Sequence, residues 1–357
     1  MSNKHTEQDI HKPEPVEIPS DVLTAGKKDD PVKIAHLLLD GQYVLVDDQF
    51  STGLSILSEL KKLLFEKSVS SDFGEYREQR SAFQSASNRL LVRIRGNRID
   101  LKKSPEIGWL SELYPGIETY YLPFPKVQGL NSSWQWFKNG IQYPGLSRKI
   151  HPWYGTYFPT RKDHIYLFNF WLRKYRGEKG HAIDIGSGCG VLAFLLLENS
   201  FERVTATDIN PNAIVSIQKS SKEFGYDNRL EVIHSDLFEK LTDKTDLIVF
   251  NPPWLPAVKV DDFMDKAIYC EPTLFERFFT EAADYLNDGG KLVFLFSNLG
   301  LKEELIEVHP VEQELEKGNR FKKTKLIKRK ADRPSGKTKR RDHREDEFVE
   351  LWELEKV

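Results

Sequence analysis

The feature that most constrains this chain is an order of elements. From residue 181 onward, short apolar runs of strand length alternate with segments of helical length. Strands are expected at 181–185, 203–207, 230–234, 246–250, 290–296, 321–328 and 348–356, and helices at about 190–199, 211–224, 273–286 and 302–316. Repeated strand–helix–strand units pair their strands in parallel and cover both faces with helices, so the expectation is an α/β fold with a doubly wound, mostly parallel, seven-stranded sheet. No helical segment separates the last two strands. They are expected as an antiparallel hairpin at one edge.

At 357 residues, 39% hydrophobic and 12% aromatic, the chain exceeds the usual single-domain size and predicts two domains. Residues 1–30 are polar, without amphipathic period, and read as a flexible tail. Residues 31–150 read as a smaller α+β domain for substrate recognition: Ile34, Leu37, Leu38 and Leu39 fit a helix face, Tyr43–Val46 a strand and Leu54–Phe65 a second helix. Apolar and polar residues alternate on both sides of Gly96-Asn97, which is a hairpin signal. Residues 131–172 hold twelve aromatic side chains, expected as a packed interface, a substrate cleft, or both. Residues 151–357 then form the ligand-binding domain.

The first strand of that domain runs into Asp184-Ile185-Gly186-Ser187-Gly188-Cys189-Gly190, and an apolar helix follows. A strand, a tight glycine turn and a helix start bring small residues and backbone N–H groups to the carboxyl edge of the sheet, where a nucleotide-like ligand can approach closely. A dinucleotide fingerprint needs a third glycine where this chain has Val191, so the spacing is GxGxG and not GxGxxG. Asp208 ends the second strand, about twenty residues on, where an acid can accept from two ribose hydroxyls. Its alternative is to cap the next helix, for which Asn210 is better placed. Ser235-Asp236-Leu237 ends the third strand and puts another acid on the same edge.

The fourth strand ends in Asn251-Pro252-Pro253-Trp254. Two prolines stop the ladder and fix the backbone, which leaves the Asn251 side-chain oxygen and the Pro252 carbonyl as acceptors. In a doubly wound sheet the first and fourth strands flank the point where strand order reverses, so loop and tetrapeptide should face one crevice.

These motifs together resemble the Rossmann-like class I S-adenosylmethionine-dependent methyltransferases, in the branch carrying Asn/Asp-Pro-Pro-aromatic. That branch includes glutamine-N5 methyltransferases of release factors and ribosomal proteins, and adenine-N6 and guanine-N2 methyltransferases of nucleic acids. The resemblance covers about residues 150–357. It implies that Asp184, Gly186, Ser187, Gly188 and Gly190 form the cofactor loop, that Asp208 with Ile209 holds the ribose, and that Asp236-Leu237 contacts adenine. It implies further that Asn251 and Pro252 accept from the substrate amino group, with Pro253 and Trp254 completing the catalytic motif and Trp254 packing on the planar group. Gly155 to Arg161 resembles the segment that closes over the methionine end of the cofactor in the release-factor enzymes, which makes Phe158 and Thr160 cofactor contacts. The chain departs from those enzymes in the residues after Pro159 and in having Trp254 where they have Tyr. Asn251 to Ala257, Arg333-Pro334 and Leu351-Trp352 resemble a group of bacterial methyltransferases of unassigned substrate. The implied partner is a macromolecular methyl acceptor, a protein glutamine or an RNA or DNA base; the alternatives are a small-molecule acceptor or a cofactor-binding protein without catalysis.

Other features bound the partners. The two cysteines, Cys189 and Cys270, stand outside any CxxC or His/Cys cluster, so neither a disulfide framework nor a metal site is expected. No apolar run is long enough to span a membrane, and a cytoplasmic protein is expected. His151, His164 and His234 are expected to be structural or surface residues and not catalysts. Residues 255–272 read as a mobile cover for the acceptor. The net charge is only −2, but residues 320–344 hold thirteen Lys and Arg against two acids, a local +11 that leaves −13 elsewhere. That block is either a solvated loop or a contact for nucleic-acid phosphates.

Overall fold

The computed structural model describes residues 10–65, 73–256, 269–332 and 346–357. Two compact units are present, residues 12–138 and residues 1–11 together with 139–357.

In the first unit, strands β1 (Leu23–Ala25), β2 (Val44–Val46) and β3 (Leu90–Arg95) pair in parallel, and β4 (Arg98–Ile99) and β5 (Thr119–Pro123) pair antiparallel to β3. Gly96 and Asn97 both have positive φ, 55° and 59°, as a two-residue hairpin turn requires. Helices α1 (Pro31–Leu39), α2 (Phe50–Phe65), α3 (Phe73–Ser87), α4 (Trp109–Leu113) and α5 (Phe124–Asn139) complete it. Asp30 caps α1 by accepting from the Val32 N–H, with Pro31 in the first turn. The expected tail needs correction: residues 1–9 lie outside the described residues, but 10–30 are held by main-chain bonds. The Val16 N–H donates to the Tyr121 carbonyl, the Tyr114 hydroxyl to the Pro13 carbonyl, and β1 joins the sheet. The border falls at 138/139, earlier than the expected 150/151, because Ile141 and Ile150 bridge within the second unit.

The second unit carries α6 (Asp163–Leu172), β6 (His181–Ile185), α7 (Val191–Glu198), β7 (Arg203–Asp208), α8 (Pro211–Phe224), β8 (Leu230–His234), β9 (Thr245–Phe250), β10 (Leu255–Pro256), β11 (Tyr269–Cys270), α9 (Leu274–Tyr285), β12 (Leu286–Ser297), α10 (Leu299–Lys302), α11 (Pro310–Lys317), β13 (Phe321–Lys330) and β14 (Phe348–Lys356). Its sheet has seven strands in the order β13-β14-β12-β9-β6-β7-β8. Five run parallel, and β14 lies antiparallel between β12 and the edge strand β13. One core cluster includes Trp171, Phe194 and Ile217 from α6, α7 and α8; the other includes Phe278, Phe294 and Trp352. The inner strands β6 and β9 are therefore buried on both faces, which accounts for their largely apolar sequence.

Two expectations change here. The helix expected at 302–316 is two, α10 and α11, because Pro310 starts a new helix capped by His309, whose Nδ1 accepts from the Val311 N–H. The aromatic run is divided: Trp134 packs on Trp109 and Phe137 in the first unit, while Trp171 packs on Phe168 and Tyr175 in the second. Among the described residues no helix is long and apolar enough to cross a membrane.

Candidate active site

The carboxyl ends of β6, β7, β8 and β9 surround one cavity of about 1240 Å³, counting its open mouth. At the β6 exit, Gly186, Gly188 and Gly190 all take left-handed φ, 60°, 54° and 80°. A Cβ on Gly188 would stand 2.9 Å from the Tyr157 carbonyl oxygen, so only glycine fits. The N–H groups of this loop are mostly occupied inside the protein. Ser187 N–H donates to Thr207 O (2.9 Å), Gly190 N–H to Ser187 O (2.8 Å) and Gly188 N–H to the Asp208 carboxylate (2.7 Å). The loop thus offers close approach more than free donors. Beneath it, Asp184 accepts from the Ala193 N–H at 3.0 Å through Oδ2, while its buried Oδ1 has no hydrogen-bond partner. Burial pushes the Asp184 carboxyl up to about 7.

Asp208 lies at the β7 exit with both carboxylate oxygens engaged, one by Gly188 and the other by the Asn210 N–H at 2.8 Å. Burial raises its pKa. Asn210, not Asp208, caps α8, accepting from the Asn212 N–H at 3.0 Å. Asn210 also donates to the Gly155 carbonyl, and the fully buried Asn212 donates to the carbonyls of Tyr154 and His11. These bonds strap residues 153–157 across the start of α8. Further on, Tyr143 donates to the Pro159 carbonyl, and Arg161 makes a two-pronged contact with buried Glu347 (2.8 and 2.7 Å). Tyr157 and Pro159 line the cavity; of the two contacts expected from this segment, Phe158 packs against the core and Thr160 is exposed.

At the β8 exit Ser235, Asp236 and Leu237 line the cavity, and Asp236 pairs with Arg277 of α9 at 2.7 Å. Leu237 has a φ of 46°, an uncommon backbone for a branched residue. At the β9 exit Asn251 and Pro253 line the cavity. The Asn251 side-chain oxygen is buried and has no hydrogen-bond partner. Pro252 is buried outside the lining, and Trp254 packs against the second core cluster instead of facing the cavity. Beyond it β10 and β11 pair in parallel, Leu255 opposite Tyr269 and Pro256 opposite Cys270. Residues 257–268, most of the expected cover, lie outside the described residues. Tyr269 and Glu271, from the expected cover, also line the cavity, with Leu274 and Arg277 of α9, which the sequence reading did not single out. The signal for the last two was positional: the helix after the fourth parallel strand begins at the carboxyl edge, so its first turns face the crevice.

The expected structural histidines have structural partners: His164 Nε2 lies 2.9 Å from the Phe296 carbonyl and His234 Nε2 2.8 Å from that of Ile209. Burial lowers the His164 pKa. Among the described residues no cluster of three His, Cys, Asp or Glu could hold a metal ion.

Residues 168–325 match the family of the methyltransferase small domain. An alignment of 191 residues, 30% identical, covers 51% of this chain and 92% of a Methanocaldococcus jannaschii protein provisionally named a protein N5-glutamine methyltransferase. The chain belongs to the class I S-adenosylmethionine-dependent methyltransferases. S-adenosylmethionine is therefore its methyl donor. The methyltransferase is also 30% identical over 133 residues to the release factor glutamine methyltransferase of Streptococcus pneumoniae, covering 34% of this chain and 46% of that one. It is 33% identical over 134 residues to ribosomal RNA small subunit methyltransferase C of Haemophilus influenzae, covering 37% and 36%. It spans under half the length of both these relatives.

Proposed function

We propose that the methyltransferase transfers the methyl group of S-adenosylmethionine to a planar NH₂ nitrogen of a macromolecule, a protein glutamine or a nucleic-acid base. The observation that carries this reading is the Asn251 side-chain oxygen: buried, without a partner and set on the same cavity as the glycine loop. A buried acceptor left without a donor costs about 1–3 kcal/mol, and an incoming N–H₂ group removes that cost. An amide or exocyclic amine is a poor nucleophile because its lone pair is delocalised. Asn251 Oδ1 would hold the nitrogen and aim the lone pair, with the Pro252 carbonyl as second acceptor only if the buried main chain opens to the cavity, so that much of the barrier is met by positioning. Trp254, half-buried against the second core cluster, would support the tetrapeptide and leave stacking on the acceptor to another group.

The cavity fits the donor. Three close-packed glycines admit its nucleoside, and the free lone pairs of Asp208 suit two ribose hydroxyls. Asp236 and Leu237 would border the adenine, with Tyr157 and Pro159 rather than Phe158 and Thr160 closing the opposite side. Asp184, whose Oδ1 has no partner, suits a cationic amino group. When bound, S-adenosylmethionine supplies an electrophilic methyl on a sulfonium. The acceptor can release its proton after transfer, so no strong base is needed.

The reading is tested by incubating the protein and labelled S-adenosylmethionine with extract from cells lacking the protein, then digesting with ribonuclease, deoxyribonuclease or protease. Label released by one of these as N-methylated product supports it. Label found only in small molecules, or on carbon or oxygen, overturns it.

A further inference from the structure

A basic strand, β13, forms the edge of the sheet away from the cavity. Six of the ten residues of β13 are Lys or Arg, but they are not equivalent. On one face, Lys328 pairs with Glu350 of β14 at 2.8 Å and Lys323 lies over the Trp352 ring. Such lysines are accounted for by protection of an exposed strand edge. On the face turned toward α6, Lys322 is likewise paired, with Glu355 at 2.8 Å, but one lysine stands apart. Lys325 makes no ion pair among the described residues, because Glu353, opposite it in register, accepts from Trp171 and Thr324. Two residues on, Ile327 packs into the core shared with α6, and Arg329 lies over the ring of Tyr166 at 4.9 Å and also pairs with the exposed Asp332 at 3.1 Å, a partner that a phosphate could replace.

Tyr166 belongs to a ridge of α6 that edge protection does not explain. Tyr166 and Phe170, one turn apart, are 42% and 49% exposed, and Lys174, a further turn on, sits 3.9 Å from the Phe170 ring centre. Two open aromatic rings flanked by cations are the combination that binds single strands, with bases stacked on rings and phosphates held by Lys and Arg. The placement also suits the cavity. β13 runs parallel to β9, so Arg329 and Lys330 stand at the carboxyl edge that carries Asn251. Three strand spacings of roughly 4.8 Å put that end about 14 Å from β9.

We propose that the exposed ridge of α6 and the facing side of β13 bind a single strand of nucleic acid, with bases on Tyr166 and Phe170 and phosphates on Lys174, Lys325 and Arg329. This rests on the planar-amine reading and makes the acceptor a base on that strand.

The test is fluorescence anisotropy with labelled single-stranded 12-mers of RNA and of DNA of equal sequence, titrated at several salt concentrations. Native protein should bind at low salt, and a preference between the two sugars identifies the source. The doubly substituted Tyr166→Ala/Phe170→Ala protein should bind about tenfold or more weakly with an unchanged salt slope. Lys174→Ser/Lys325→Ser/Arg329→Ser should flatten the slope by roughly 2, about 0.7 per lost phosphate. Both variants should keep the native melting temperature and S-adenosylmethionine affinity. No binding of either strand at low salt, or native affinity in the aromatic variant, overturns the surface. Binding needs no turnover, so tight oligonucleotide binding with label only on protein overturns the base as acceptor while the surface stands.

Discussion

β6 and β9 lie side by side and parallel, Asp184 opposite Val249 and Ile185 opposite Phe250, yet they leave the sheet by opposite means. β6 exits through three glycines with left-handed backbone, whose N–H groups are largely bonded within the protein. β9 exits through two prolines that have no N–H at all, beside an asparagine oxygen with no partner. The first exit is complete in itself and serves by being bare of side chains; the second is incomplete and serves by what it lacks. One cavity therefore joins a preorganised wall to a wall that waits for a donor.

Substitutions can break that contrast, and the largest effect is expected at Asp184. Its pKa is 3.8 in the unfolded chain and about 7 when folded, so between those values the folded protein holds a proton that the unfolded chain has released. The corresponding stability is present at low pH and lost as pH rises from about 4 to 7. At about 1.36 kcal/mol per pK unit the loss approaches 4 kcal/mol. Asp184→Asn should flatten the pH dependence of urea unfolding across this window; an unchanged slope would mean that the folded carboxylate is ionised and the site beneath the glycine loop is not apolar.

Next comes Asn251→Ala, expected to slow turnover by about 10²–10³, or roughly 2.7–4 kcal/mol, while the dissociation constant of S-adenosylmethionine stays within about twofold. Parallel losses in both would merge the two walls into one. Asp208→Ala should cost about 1.5–3 kcal/mol of cofactor affinity by calorimetry, the range for hydrogen bonds to a charged group. Unaltered affinity would leave Asp208 with only its bonds to Gly188 and Asn210. The smallest effect belongs to Gly188→Ala, about 1–2 kcal/mol from a side chain in left-handed backbone, read as a lower melting temperature. A native value would show that Tyr157 withdraws freely, and the glycine wall would then be soft.

The inner strands β6 and β9 were legible to within a residue because, buried on both faces, they are mostly apolar runs. The GxGxG spacing was legible because three left-handed positions demand three glycines. Two kinds of feature stayed hidden. Residues 10–30 looked like tail because they are anchored through main-chain atoms, as at Val16 and His11, and a main-chain bond leaves no mark on residue type. Trp254 was expected to face the acceptor, yet faces the core; its type suits either surroundings, and only the fold decides between them. The break before α11 was readable and overlooked, since Pro310 inside an apparent helix announces it.

The pairing of Leu255–Pro256 with Tyr269–Cys270 has a consequence for how this enzyme can diversify. The chain departs from the catalytic body and rejoins it through neighbouring strands, so the gap to be bridged is set by that pairing and not by the length of the insert. Each doubling of such an insert adds only about 0.6 kcal/mol of closure entropy. The length of chain between Pro256 and Tyr269 can therefore change without altering the sheet that holds the chemistry.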